Sequence, residues 1–146
     1  MSPFGATEVL SAAEAETEAA GEQLAATLTA GDVVLLEGQL GAGKTAFVRG
    51  LARGLGAGDG DVSSPTFTLI QEYGGGRVRL YHVDLYRLEP QEVADIGLDE
   101  LISGDGVVAV EWADRWNDRP VVAVEVAIED RGGDRRRITI RNVPKP

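Results

Sequence analysis

The chain of 146 residues contains no cysteine, a single histidine (His82) and only two lysines (Lys44 and Lys145). Without cysteine, neither a disulfide framework nor a thiolate metal site can form. A single histidine also excludes a metal site built from several imidazoles. No stretch approaches the roughly 20 apolar residues that span a bilayer, and the first ten residues lack a basic region followed by an apolar run. We therefore expect a cytoplasmic protein.

Basic residues are scarce as well, with 14 Lys and Arg against 24 Asp and Glu and a formal net charge of −10. Such a surface repels a phosphate backbone unless its few cations are concentrated locally. Autonomous binding of RNA or DNA is therefore disfavoured. The length and the 43% hydrophobic content fit one α/β domain over residues 1–146, with an interior built mainly from Val, Leu, Ile and Ala.

Helical patterns surround one apolar run in the first part of the chain. Ser11 followed by Glu14 is a capping-box pattern, which predicts a helix over residues 11–30. The apolar face assigned to this helix consists of Leu10, Ala19, Leu24 and Leu28. The run VVLL at 33–36 predicts a strand buried on both faces, and therefore a parallel, helix-covered sheet. The spacing of apolar residues predicts a second helix over 45–55.

Patterns typical of β-strands dominate the rest of the chain. Residues 67–73 and 78–84 are predicted to form a hairpin across a run of glycines, and residues 121–128 and 136–143 to form a second hairpin. The apolar run at 107–110 should lie in the core beside the strand at 33–36.

A short helical stretch is predicted between the two hairpins. Pro90 can begin a helix that carries Val93 and Ile96 and ends at Gly97. Residues 98–102 are predicted to form a further turn of helix. Neither segment is long.

Residues 38–45, GQLGAGKT, match the pattern G-x-x-x-x-G-K-[ST] at every specified position. Glycines let successive backbone N–H groups point at a β-phosphate, and the positive end of the next helix adds to the attraction. The cradle is predicted to be formed by Gly41, Ala42, Gly43, Lys44, Thr45 and Ala46. The Lys44 ammonium would lie between the β- and γ-phosphates, and the Thr45 hydroxyl would bind magnesium. The predicted strand before the motif and helix after it are the context that this mechanism requires.

A magnesium-bound triphosphate also needs a carboxylate at the end of a neighbouring strand. Asp84 ends the predicted strand that contains His82, and Glu111 follows the apolar run at 107–110. The two strand ends would then face one phosphate site. For each carboxylate, the alternative of a solvated strand end stays open.

Two further residues have both a functional and a structural interpretation. Thr66 lies in the segment 63–66, which would return across the nucleotide and sense the γ-phosphate, or would form a proline turn leading into a strand. Trp112 would shield the nucleotide with its indole, or would pack beside the core strand.

His82 and the basic run RRR at 135–137 are also candidates. A half-buried structural role explains His82 better than a role as a base, because phosphoryl transfer needs charge placement more than an imidazole. The basic run is either an exposed turn or a contact to nucleotide or to a partner.

Four strings of sequence carry a resemblance to a known family. They are LGAGKT at 40–45, SPTFTL at 64–69, YHVDLYRL at 81–88, and the pair Glu111 and Trp112. Together they resemble the TsaE family, the P-loop ATPases of bacterial tRNA threonylcarbamoyladenosine biosynthesis. The two middle strings are more specific than the P-loop. The likeness covers roughly residues 11–112 and thins beyond Arg119 to a terminal hairpin.

The resemblance implies a single P-loop NTPase-like α/β domain with a mixed central sheet flanked by helices. It implies binding of Mg-ATP and slow hydrolysis by the protein alone. It also implies that TsaB and TsaD are partners, with TsaD transferring the threonylcarbamoyl group to the adenosine beside the anticodon. ATP turnover would reset that complex between cycles, and tRNA would be contacted only through the complex.

The resemblance also assigns roles to individual residues by motif position. Thr45 and Glu111 become the magnesium ligands, Asp84 becomes a second carboxylate of the hydrolytic site, and Thr66 becomes the switch threonine. The further positions carried over near the nucleotide are Glu14 and Arg136.

Two residues depart from the family pattern, and two other functions stay open. Ala46 stands where such proteins often repeat a hydroxyl, so only its backbone N–H is left for the α-phosphate. Gln39 replaces an acidic or small polar residue, which should matter little in a main-chain cradle.

One alternative function is a small metabolite kinase, with 135–137 as the candidate lid. The other is a regulatory nucleotide switch, although the Asn/Thr-Lys-x-Asp string of GTPases is missing.

Overall fold

Helices cover both faces of one mixed sheet. The computed structural model describes residues 6–38, 43–57, 70–74, 76–93, 95–102, 104–117, 120 and 123–143. The strands are β1 (Ala6–Ser11), β2 (Val33–Glu37), β3 (Ile70–Tyr73), β4 (Arg79–Asp84), β5 (Gly106–Glu111), β6 (Ala123–Asp130) and β7 (Arg136–Val143). The helices are α1 (Glu14–Ala25), α2 (Lys44–Gly54), α3 (Pro90–Val93) and α4 (Leu98–Ile102), with a 3-10 helix at Ala113–Arg115.

Parallel strands form the centre of the sheet, and antiparallel strands form its edges. Within the described ranges the sheet has seven strands in the order β1-β7-β6-β2-β5-β4-β3. Strand β2 runs parallel to β5 and β6, and β4 runs parallel to β5. The pairs β3–β4, β6–β7 and β1–β7 are antiparallel. The predicted pairing of the two apolar runs, the two hairpins and the mixed sheet are therefore confirmed.

Two apolar layers pack on opposite faces of the sheet. Phe47, Val48 and Leu51 of α2 are fully buried against one face, together with residues of α1. Val93 of α3, Leu98 of α4 and Trp116 pack against the other face. Strands β2 and β5 contribute to both layers, which is why their sequences are continuously apolar rather than alternating.

Helices α1 and α2 approach so closely that three glycines are needed between them. A Cβ added at Gly50 would lie 1.9 Å from the carbonyl oxygen of Glu18, and one at Gly21 would lie 2.2 Å from that of Phe47. At Gly54 the added carbon would be 2.5 Å from the Cβ of Ala25. Larger side chains would force the helices apart, so these glycines set the position of α1 beside the first turn of α2.

The prediction of a helix beginning at Ser11 is wrong. Residues 6–11 form β1, and Ser11 pairs with Arg136 of β7. The N-cap of α1 is Ala13, which makes no side-chain capping bond. The hydroxyl of Ser11 instead donates to the carbonyl of Ala13 and lies 2.8 Å from the hydroxyl of Thr17. Pairing with a strand more than a hundred residues away outweighs the local capping pattern.

The predicted face and end of the first helix also need correction. Leu10 is 70% exposed and Ala19 is exposed, and the residues that α1 buries are Thr17, Ala20, Gly21, Leu24 and Ala25. The helix ends at Ala25 rather than residue 30. Arg77 donates to the carbonyl oxygens of Ala25 and Leu28, both at 2.9 Å, so the end of the helix is capped by a residue that is remote in sequence.

The helix predicted from Pro90 is shorter than expected. Helix α3 spans Pro90–Val93, and Ile96 lies in the turn that follows. Strand β3 begins at Ile70 in the described residues, and positions 67–69 of the predicted strand lie outside them. The helix predicted at 45–55 and the helical turn predicted at 98–102 are both confirmed, as α2 and α4. None of the helices in the described ranges has the length and apolar character needed to cross a bilayer.

Candidate functional site

The candidate site lies where three parallel strands end and α2 begins. Glu37, Asp84 and Glu111 are the last residues of β2, β4 and β5. The carboxyl ends of adjacent parallel strands form the usual ligand-binding edge of an α/β sheet. Gly43, in the left-handed region with φ of 105°, precedes the first residue of α2, a conformation that favours glycine. The predicted cradle residues Gly41 and Ala42, and the predicted switch residue Thr66, lie outside the described residues.

Lys44 is the buried cation of this edge. It is only 4% exposed, and its Nζ donates to the carbonyl oxygen of Gly38 at 2.7 Å. The same nitrogen lies 3.9 Å from Oε1 of Glu111. Burial lowers the pKa of the Lys44 ammonium below its ordinary value, and the nearby carboxylates, of which Glu111 acts most strongly, oppose that shift. The Lys44 ammonium therefore lies beside the amino end of α2, and both the ammonium and the helix end favour an anion.

Asp84 and Glu111 lie side by side, as the sequence predicts. They are register partners in the parallel pair β4–β5. Burial raises the pKa of Asp84. The N–H of Tyr86, which donates to Oδ1 at 2.9 Å, opposes this rise, whereas the negative charge of Glu111 adds to it. The carboxylate of Glu111 is buried, with Oε2 2.5 Å from Nε2 of His82.

One open cavity brings most of the predicted residues together. Its volume is about 440 Å³. The predicted residues that line it are Glu14, Gly43, Lys44, Thr45, Ala46, Asp84, Glu111 and Arg136. Three residues that were not predicted also line it, namely Thr17, Arg49 and Asp134. A concave site with both charge signs suits a ligand that is itself an anion bound to a cation.

Helical spacing offered a signal for two of the missed residues. Thr17 lies three positions after Glu14 on α1, and Arg49 lies four positions after Thr45 on α2, so each shares a helix face with a predicted residue. Arg49 also donates to Oε1 of Glu14 at 2.9 Å, which joins the two helices at the rim of the cavity. Asp134 lies in the turn before the basic run at 135–137, and no sequence pattern indicated it.

Trp112 lies against Lys44. Its ring centroid is 4.3 Å from Nζ of Lys44, within the range of a cation–π contact. The backbone of Trp112 is left-handed, with φ of 60°, which is uncommon for a bulky residue. The ring of Tyr86 lies 5.0 Å from that of Trp112. Trp112 lines a second cavity, of about 470 Å³, and is not among the described residues that line the first.

The remaining candidates have diverse surroundings. His82 is completely buried rather than half-buried, which corrects that expectation. Arg136 donates to the carbonyl oxygens of Gly133 and Arg135, at 2.8 and 2.9 Å, and reaches the first cavity. Arg137 pairs with Glu8 of β1 at 2.6 Å. The basic run therefore points in more than one direction.

The oxygen donors of the cavity fit a magnesium ion. Thr45 supplies a hydroxyl, and Asp84 and Glu111 supply carboxylates, the hard oxygen ligands that Mg²⁺ prefers. Within the described part of the chain, no group of three or more His, Cys, Asp or Glu side chains could hold a metal alone. A magnesium ion at this site would therefore take its other ligands from phosphate and water, as is usual for this ion.

Comparisons with known proteins give one consistent result. The family model for "Threonylcarbamoyl adenosine biosynthesis protein TsaE" matches residues 11–138, which extends beyond the region that carries the four strings. The tRNA threonylcarbamoyladenosine biosynthesis protein TsaE of Nostoc sp. (strain PCC 7120) is 46% identical over 139 residues, covering 91% of this chain and 85% of that protein. The TsaE protein of Bacillus subtilis (strain 168) is 47% identical over 129 residues, covering 88% of this chain and 80% of that protein.

A solved structure agrees with the sequence relatives. The crystal structure of Bacillus subtilis YdiB superposes with a TM-score of 0.81 at 38% identity, covering 98% of this chain and 89% of that one. The architecture is therefore a P-loop-like α/β fold, as expected. The family match, the relatives and the shared fold lead to one conclusion: the chain belongs to the TsaE family, whose members are described as threonylcarbamoyladenosine biosynthesis proteins.

Proposed function

We propose that the protein binds Mg-ATP at the first cavity and hydrolyses it to support threonylcarbamoyl transfer to the tRNA adenosine next to the anticodon. The observation that carries this proposal is the meeting of Lys44, Thr45, Asp84 and Glu111 in one cavity at the start of α2. A cation, a hydroxyl and two carboxylates are the groups that a magnesium-bound polyphosphate needs.

In this proposal the phosphates are bound by the amino end of α2 and by Lys44. The Lys44 ammonium has three N–H donors, and in the structure it contacts Gly38, Glu111 and the face of Trp112. It would turn toward the β- and γ-phosphates, where a charge-assisted bond replaces the bond to the Gly38 carbonyl. Trp112 would act through Lys44, by holding the ammonium at the edge of the cavity.

The metal ligands in this proposal are Thr45 and Glu111, with Asp84 as the second carboxylate. A magnesium ion there would neutralise charge that develops on the phosphates during transfer. Burial already raises the pKa of Asp84, so this carboxylate is suited to accept a hydrogen bond or a proton from an attacking water. Thr66 stays a proposed switch residue.

The other predicted residues would contact the rest of the nucleotide. Glu14 and Arg136 lie near opposite ends of the sequence, and both line the first cavity. Arg136 donates hydrogen bonds to two backbone carbonyls. Ala46 would offer only its backbone N–H. We propose that Arg49 and Thr17 belong to the same region of the site, because they line the same cavity.

The proposed partners are TsaB and TsaD, in the cytoplasm. The net charge of −10 supports a protein that meets tRNA only indirectly, through those partners. A small metabolite kinase is the alternative. It receives little support from the basic run, because Arg137 is paired with Glu8 and Arg136 with carbonyls of its own turn, rather than forming a lid of free cations.

The test is ATP turnover with and without a TsaB–TsaD preparation. We expect the protein alone to be a poor ATPase, the pair to stimulate it, and the yield of modified tRNA to depend on it. Thr45→Ala should abolish both stimulated turnover and Mg-ATP binding. If the pair changes neither the rate nor the yield, the role in threonylcarbamoyl transfer fails, even where calorimetry detects Mg-ATP binding.

A further inference from the structure

His82 and Glu111 form a buried hydrogen bond that the proposed function does not use. His82 is 0% exposed and Glu111 4% exposed. Nε2 of His82 lies 2.5 Å from Oε2 of Glu111, while Oε1 of the same carboxylate lies 3.9 Å from Nζ of Lys44. The two oxygens of Glu111 therefore have different neighbours: one faces the imidazole and the other faces the cation of the cavity.

The geometry of the sheet explains how the imidazole reaches Glu111. His82 and Asp84 are two positions apart on β4, so their side chains emerge on the same face. The register partner of Asp84 is Glu111, and the register partner of His82 is Ala109, a small residue. The His82–Glu111 contact is therefore a diagonal one across two parallel strands, beneath the carboxylates that line the cavity.

The imidazole of His82 has a single hydrogen-bond partner in the described part of the chain. Nδ1 is buried and has no hydrogen-bond partner among those residues. A histidine that only fills the core normally has both nitrogens satisfied. An unpartnered lone pair is tolerated more easily than an unpartnered N–H, so the proton belongs on Nε2, where it is donated to Glu111.

We infer that His82 is a positioning residue, which holds Oε2 of Glu111 so that Oε1 is presented to the magnesium site. This inference rests on the proposed function, because it concerns the same carboxylate. Outer partners that orient a metal ligand commonly affect metal affinity by about 10- to 100-fold when removed. His82 would thus act on the metal and not on the phosphates.

The test separates affinity for the metal from affinity for the nucleotide. Mn²⁺, which accepts the same oxygen ligands as Mg²⁺, is titrated in the presence of ATP and followed by electron paramagnetic resonance, and ATP affinity is measured separately without metal. His82→Met removes the donor. We expect it to weaken Mn²⁺ binding about tenfold or more, with metal-free ATP affinity unchanged within about twofold.

Two matched variants distinguish positioning from a structural role. His82→Gln places an amide N–H near the position of Nε2, and should recover most of the Mn²⁺ affinity. Leu80→Ala opens a cavity on the same face of β4, in the apolar core, where the register partner of Leu80 is Val107 rather than Glu111. It should lower stability and leave Mn²⁺ affinity unchanged. Equal weakening by Leu80→Ala and His82→Met would overturn the inference.

Nuclear magnetic resonance provides a measurement on the unaltered protein. Since His82 is the only histidine of the chain, its ring nitrogens give one unambiguous set of signals. We expect a proton on Nε2 that is hydrogen-bonded to the carboxylate of Glu111. An unprotonated Nε2 would overturn the inference, and this holds even if His82→Met fails to fold.

Glu111→Gln shows which proposal has failed when the result is negative. If this variant weakens Mn²⁺ binding and His82→Met does not, the positioning role of His82 falls alone. If Glu111→Gln leaves Mn²⁺ binding unchanged, the proposed metal site fails and the positioning role fails with it.

Discussion

Charged side chains are placed differently in two regions of the molecule. The two regions are the interface between α1 and α2 and the cavity at the carboxyl edge of the sheet. At the interface, the charged side chains stay near the surface, where Arg53 pairs with Glu18 at 2.5 Å, and the buried contacts are made by glycine backbones. At the cavity, Lys44 and Glu111 are both buried, at 4% exposure each.

From this difference we infer that the interface stabilises the fold and that the cavity serves the proposed function. Surface ion pairs contribute little stability and cost little. Burial, in contrast, disfavours the charged forms of Lys44 and Asp84, since it lowers the pKa of the first and raises that of the second. Such charges persist where an activity requires them. Variants of the cavity should therefore change binding more than stability, and variants of the interface should do the reverse.

Lys44→Ala should have the largest effect. We expect Mg-ATP affinity to fall by about 3 kcal/mol or more, because the phosphates lose a charge-assisted donor at a partly desolvated site, while the fold is retained. Calorimetry measures the affinity. Arg53→Ala is the matched control: it removes a cation from the same helix, and the guanidinium pairs with Glu18 and Glu22 instead of lining the cavity. Wild-type affinity in Lys44→Ala would contradict the phosphate site.

Glu111→Gln should impair hydrolysis at saturating magnesium. We expect turnover to fall about 100-fold, equivalent to about 2.7 kcal/mol of transition-state stabilisation, because the amide no longer provides a negative ligand. Steady-state release of phosphate measures this. Glu125→Gln is the control, since Glu125 pairs with Arg141 at 3.0 Å and lines the second cavity. Normal turnover by Glu111→Gln would move the ligand role to Asp84.

Gly50→Ala should destabilise the protein by about 2 kcal/mol, a typical cost of overpacking. The added methyl would lie 1.9 Å from a backbone oxygen of α1, so the helices must separate. Urea unfolding measures the free energy. Mg-ATP affinity of the folded protein should change less than in Lys44→Ala, because α1 contributes Glu14 and Thr17 to the cavity but neither Lys44 nor the two carboxylates. At Gly74 an added methyl meets, among the described residues, only the Arg79 guanidinium, at 3.6 Å, so Gly74→Ala should stay within about 0.5 kcal/mol. If Gly50→Ala and Gly74→Ala were equally stable, the helix interface would not have the stabilising role that distinguishes it from the cavity.

Asp84→Asn should have the smallest effect on stability, and the size of that effect depends on pH. The folded state raises the pKa of Asp84 above its ordinary value of 3.8, so the folded state binds this proton more strongly than the unfolded state. The wild type therefore loses stability as the pH rises from 3.8 through the folded pKa. Asparagine does not ionise, and its amide oxygen can still accept the bond from the Tyr86 N–H.

The measurement for Asp84→Asn is urea unfolding of both proteins between about pH 4 and pH 8. We expect the stability of the variant relative to the wild type to increase with pH, by a few tenths up to about 1 kcal/mol, because solvent reaches the carboxyl group and screens it. A difference that shrinks as the pH rises would show that Asp84 is stabilising, and the two regions would then be more alike than the pKa shifts indicate.

Local patterns were sufficient for the centre of the fold. The apolar runs of β2 and β5 identify buried strands because side chains on both faces must be apolar, and the glycine motif identifies the turn into α2 because few other residues adopt such backbone conformations. The same patterns placed Asp84 and Glu111 at strand ends that meet. They failed for β1, because Leu10 is exposed and Val9 is the one apolar side chain of residues 7–11 that packs against the core, and the strand exists through its pairing with β7.

The sequence by itself determined the strand–turn–helix unit around Lys44, the carboxylates at the strand ends and the family to which they point. Only the tertiary structure decided that Ser11 extends a strand, that Arg49 and Thr17 share the cavity of Lys44, and that the imidazole of His82 lies at hydrogen-bond distance from Glu111. The reason is physical: backbone conformation and burial are encoded by neighbouring residues, whereas these contacts join residues that are distant along the chain and meet only when the sheet and the helices have assembled.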